Sequence, residues 1–149
     1  MVKFKFAVFV LLSAFVAGCA SLKLEPADFS WPLESVLEAD AHGNVTENRY
    51  SFTLNVKPLF FAEFEDSTNV AGKSVRIIRN NQGYYFVTAE KFKNVYVFGT
   101  DEGALKEKNI ILISEAGITE PAFNQRTPDI EFLNGGKKLL LDADGIKGE

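Results

Sequence analysis

Apolar and polar residues alternate most cleanly over Tyr50–Val56, where Tyr50, Phe52, Leu54 and Val56 interleave with Ser51, Thr53 and Asn55. A period of two with one apolar side marks a half-buried β-strand. Similar runs of β-branched and aromatic residues occur at Ser35–Ala39, Leu59–Phe64, Val75–Arg79, Tyr84–Thr88, Asn94–Phe98, Asn109–Ile113, Ile130–Leu133 and Lys137–Leu141. The punctuation between them is turn chemistry. Asn80-Asn81-Gln82-Gly83 and Asn134-Gly135-Gly136 each sit between two such runs and predict hairpins. Ala41-His42-Gly43-Asn44 reads as a turn, and Gly99–Lys108 as a connecting stretch.

About eight to nine short strands with regular turn signals predict an all-β domain, an antiparallel sandwich or small barrel. Helix is expected only as single turns near Ala89–Phe92 and Glu102–Lys106, and the tail Asp144–Glu149 is expected to fray.

The N-terminus breaks this pattern. Met1–Lys5 is basic, Phe6–Val16 is apolar throughout, and Ala17-Gly18 are small. That is the layout of a secretory leader. The apolar run of about 11 residues falls short of the ~20 that span a bilayer as a helix. Cys19, the one cysteine of the chain, comes directly after. The run Val16-Ala17-Gly18-Cys19 resembles the lipobox of bacterial lipoproteins, and the resemblance covers residues 1–19 alone. It implies a cleaved signal peptide (1–18), a Cys19 carrying diacylglycerol and usually a further acyl chain, and a tether over 19–31 leading to one β-rich domain at 32–149. Two or three acyl chains suffice for stable anchoring where one is marginal. Ala20 stands where Asp would retain a lipoprotein in the inner membrane, so the pattern implies the outer membrane of a two-membrane envelope. Residues Cys19 to Pro32 reach at most about 50 Å fully extended, which keeps the domain close to the bilayer.

Loss of the leader would remove Lys3 and Lys5 and no acid, leaving 14 basic against 20 acidic side chains over 131 residues. A net charge of −6 speaks against nucleic acid as a partner. With Cys19 acylated no thiol remains, so stability rests on packing, for which ten Phe, four Tyr and one Trp supply apolar area.

Catalytic chemistry finds little to use. His42 is the only histidine and lies in a turn, so neither a His/Cys metal site nor a Ser-His-Asp triad is expected. Glu63 and Glu65 would share a face on a strand, but a solvated face leading into the Asp66-Ser67-Thr68 loop explains them better than a carboxylate pair, which in glycoside hydrolysis needs a large sugar cleft. Asp142-Ala143-Asp144-Gly145 has the flavour of a calcium loop, yet aligning Gly145 to its sixth position puts Leu140 at the first. No catalytic residue, metal or cofactor is therefore expected. The most unusual segment is Glu120–Asp129, read as a loop stiffened by Pro121 and Pro128. Phe123, Asn124, Gln125 and Arg126 within it form a candidate recognition loop, with Phe123 as apolar anchor and Arg126 pairing an anion. The same residues also suit a crossover that tucks Phe123 into the core.

The resulting expectation is a membrane-anchored extracytoplasmic lipoprotein. It acts as a non-enzymatic binding or structural module, with the bilayer and another envelope protein as partners. The alternative is a β domain that binds a small apolar ligand. A cavity of several hundred Å³ lined by aromatics would favour the ligand, and a flat exposed apolar patch the protein partner.

Overall fold

The structure, a computed structural model, describes residues 28 and 30–148. Cys19 and the leader lie outside the described residues. Among the described residues, eleven strands and one helix run in the order β1 (Ser35–Glu38), β2 (Asn44–Glu47), β3 (Phe52–Asn55), α1 (Lys57–Phe64), β4 (Ser74–Arg79), β5 (Tyr85–Thr88), β6 (Asn94–Asp101), β7 (Ala104–Leu112), β8 (Pro121–Arg126), β9 (Asp129–Asn134), β10 (Lys137–Asp142) and β11 (Gly145–Ile146). All pairings are antiparallel. A five-stranded sheet has the order β1-β4-β5-β6-β7, a four-stranded sheet the order β11-β10-β9-β8, and β2-β3 form a separate hairpin. The fold is the expected all-β sandwich class.

Opposed residues of antiparallel neighbours share a face. Ile77, Val87 and Tyr96 therefore lie on one face of the larger sheet with Tyr85 and Phe98, and Ile78, Phe86 and Val97 on the other. The second set is fully buried, as are Ile130, Phe132 and Leu141 of the smaller sheet. The two sheets meet where β8 contacts β4 and β11 contacts β7. The first face is covered by Trp31, by the β2–β3 hairpin and by α1. Trp31 belongs to the core at 3% exposure, and its N–H donates to the Arg79 carbonyl at 2.8 Å. The domain thus begins inside the segment expected to be tether.

Several expectations need correction. Leu59–Phe64 is helical, not extended. Pro58 sits in the first turn, where its fixed φ fits and its missing N–H costs nothing. The helix buries Leu59 and Phe60, leaves Phe61 exposed, and sets the Phe60 and Phe64 rings, four apart, 6.1 Å from each other. Glu65 ends the helix with φ 57°. Glu63 and Glu65 therefore do not form a strand pair. The expected connector Gly99–Lys108 mostly continues β6 and β7, which turn at Glu102-Gly103 with φ 49° and 82°, so no helical turn forms there. Positive φ at both central residues matches the twist of a tight hairpin.

The loop expected at Glu120–Asp129 is largely β8. It is an edge strand, and Pro121 is tolerated at its first residue. The tail does not fray at Gly145–Ile146, which pairs with Asp142 and Leu141. Asp142 Oδ1 accepts from the N–H groups of Asp144 and Gly145, so the calcium-like run is a hairpin turn.

Candidate functional site

The hairpin and helix do not cover the whole first face of the larger sheet. Between β3–α1 on one side and β5, β6 and β7 on the other lies a cleft of about 640 Å³. Drug-sized ligand sites typically occupy about 300–1,000 Å³. Phe52 and Leu54 reach it from β3, Pro58, Leu59 and Ala62 from α1, Tyr85 from β5, Tyr96 and Phe98 from β6, and Leu105 and Glu107 from β7. On β6 the lining residues alternate, as one sheet face requires, whereas β3 presents its edge, so that Ser51, Thr53 and Asn55 line the cleft together with Phe52 and Leu54.

Two local features shape the walls. Phe52 and Tyr85 stack at 5.5 Å with planes 6° apart, and Trp31 meets both edge-on at 6.2 and 5.6 Å. This aromatic cluster fixes the hairpin end of the cleft. A β-bulge forms the second feature. Val97 opposes Asn109, but Phe98 opposes Glu107, so Lys108 is the unpaired extra residue. The extra residue re-aims the adjoining stretch of β7, and Glu107 comes to the cleft side beside Phe98 and Leu105.

Helix α1 is clasped to β6 through Glu63. One carboxylate oxygen accepts from Asn94 Nδ2 and from the Tyr96 hydroxyl, both at 2.9 Å, and the other accepts from the Lys93 N–H at 2.8 Å. Tyr96 is 3% exposed, and burial, reinforced by the bond to Glu63, raises its phenol above its ordinary pKa. At neutral pH it is a neutral donor. The carboxylate position that mattered is thus Glu63 alone, as a strut for the helix.

The residues of the candidate recognition loop lie elsewhere and are spent on structure. Phe123 is 2% exposed and packs its ring 5.3 Å from that of Phe132. Its N–H donates to Glu34, which also pairs with Arg76, and burial raises the Glu34 carboxyl against those two bonds. Gln125 donates to the Arg79 carbonyl, tying β8 to β4. Asn124 and Arg126 both reach Glu131 of the neighbouring strand, at 3.1 and 3.4 Å. Phe123 and Gln125 thus tie β8 to the segments of the larger sheet, Asn124 and Arg126 bond within their own sheet and stay exposed, and none of the four lines the cleft. His42 is exposed in its turn. Among the described residues no three His, Cys, Asp or Glu side chains group as a metal site.

Sequence reasoning missed the cleft. Its one signal was the pairing of apolar residues two apart, Phe52 with Leu54 and Tyr96 with Phe98, which marks a covered face but not how far the cover extends. No known protein family, curated protein or solved structure matches the chain.

Proposed function

We propose that the chain is a lipid-anchored extracytoplasmic protein, tethered through Cys19, whose β domain holds a small apolar molecule in the cleft between β3–α1 and β6–β7. The cleft carries this reading: it has the volume of a ligand site, aromatic walls from three strands, and a lining more apolar than polar, with Ser51, Thr53, Asn55, Thr100 and Glu107 as its polar members. An apolar ligand suits a protein held at a bilayer, where such molecules partition. A second reading, a module that works by protein contact, draws support from Ile110 and Leu112. They sit two apart on the edge strand β7 at 45% and 50% exposure. Exposed apolar residues on an unpaired edge suit strand addition by a partner.

Titration with the neutral fluorescent probe N-phenyl-1-naphthylamine separates the two. Saturable one-site binding is expected, and Leu105→Arg, which sets a charge into the cleft wall, should weaken it at least about tenfold. Leu105 is only half-buried, so the urea midpoint should barely move. Binding that ignores Leu105→Arg would place the probe elsewhere and favour the contact reading. For the anchor, Cys19→Ser should keep the precursor uncleaved and abolish incorporation of radiolabelled palmitate. Palmitate labelling or normal cleavage of that variant would sink the tether.

A further inference from the structure

We infer that the cleft selects amphiphiles bearing a positive charge over those bearing a negative one, with Glu107 as the group that reads the head. The inference rests on the cleft being a ligand site. Among the residues that line it, Glu107 carries the only full charge, and no Lys, Arg or His is present. The cations nearest in sequence are engaged on other acids: Lys106 with Asp101 at 3.4 Å, and Lys108 with Asp144 at 3.9 Å. Glu107 takes part in none of the ion pairs among the described residues.

A second carboxylate, Glu63, lies behind the wall on Tyr96. Its three donors are an amide N–H, a side-chain amide and a phenol, all neutral, so its charge is held without a countercation. Glu63 accepts from the Tyr96 hydroxyl, and Glu107 shares the cleft lining with Tyr96, so both carboxylates stand at the same wall. Phe98 in the lining offers a cation the negative potential over an aromatic face, whereas the Tyr85 ring is already stacked on Phe52 and carries the Arg79 guanidinium 5.2 Å from its centroid. A carboxylate-headed chain of equal length would meet the same apolar walls but be repelled at the mouth.

The test uses three ten-carbon chains that differ only in the head: decylamine, decanol and decanoate. Each competes, below its aggregation concentration and at neutral pH, with N-phenyl-1-naphthylamine on the purified domain. Decylamine should bind about tenfold more tightly than decanoate, with decanol between, from one partly exposed ion pair plus a cation–π contact. In Glu107→Gln the three should fall within about twofold of each other. In the unaltered domain, about 0.5 M salt should compress the series in the same direction. Glu107 is solvent-exposed, so its replacement leaves the fold in place for the comparison.

Decanoate binding as tightly as decylamine, or a series unchanged by Glu107→Gln, would overturn the charge selection and leave the ligand site standing. Failure of all three chains to displace the probe would overturn both.

Discussion

Trp31→Ala is expected to lower the stability of the domain by about 3–5 kcal/mol, the usual cost of truncating a buried aromatic. Trp31 precedes every strand, and sequence reading places it in a tether where its loss would cost nothing. The packing says otherwise. Its indole stacks on Tyr50 at 4.2 Å with planes 7° apart and meets Phe52 and Tyr85 edge-on. Removing it would leave a void between the β2–β3 hairpin and the larger sheet, where the hairpin has few other large side chains to close it. Domains of this size are stable by about 5–15 kcal/mol, so the loss is a large share. Urea denaturation of the domain starting at Ser30 measures it. A change under about 1 kcal/mol would mean that the segment before β1 merely rests on the fold. Because Phe52 and Tyr85 also line the cleft, the same variant should weaken N-phenyl-1-naphthylamine binding.

Acid should remove about 2–3 kcal/mol through one group, Glu47. Its side chain is 6% exposed, and it accepts from Arg49 Nε at 3.0 Å, Arg49 Nη2 at 2.9 Å and the Arg49 N–H at 2.9 Å. The same guanidinium also donates to the Ser35 hydroxyl, which joins the hairpin to β1. These bonds, the Arg49 side chain first, pull the Glu47 carboxyl from 4.5 down to about 2 against the cost of burial. A carboxyl depressed by folding stabilises the protein in its ionised form. The contribution is therefore complete above about pH 5 and fades as pH falls towards about 2. Arg49 is half open to solvent, which trims the magnitude. Urea midpoints of the wild type should fall across that window, and Glu47→Gln should start lower at neutral pH and fall less. Equal pH profiles for the two would show that Glu47 is not the titrating group.

The strands that were legible in the sequence are those whose neighbours enforce a period of two or a continuous apolar run, such as β4, β5, β9 and β10. Their turns are marked by Asn and Gly. The errors share a different physics. Leu59–Phe64 is a short apolar run, and periodicity over six residues does not separate helix from strand. Pro58 suits the first turn of a helix and the start of a strand alike, so it did not decide between them. Glu120–Asp129, which holds β8, looked like a loop because of its two prolines and its amides. Those polar side chains are instead consumed by the β8–β9 ladder and by Arg79, partners about 5 to 46 positions away in sequence. The cleft was illegible for a related reason. It arises where the hairpin and helix stop short of β7, which depends on how three separated segments stack.

The bulge at Lys108 makes the polarity of the cleft a matter of counting residues along one strand. With regular pairing beyond Val97, Lys108 would oppose Phe98 and Lys106 would oppose Thr100, so two ammonium groups would hang over the cleft and the carboxylate would point away. A tally of Lys106, Glu107 and Lys108 would call that wall basic, whereas the surplus residue turns it acidic. A slip of one position in β7 would thus invert which ligands are welcomed while changing no side chain at all.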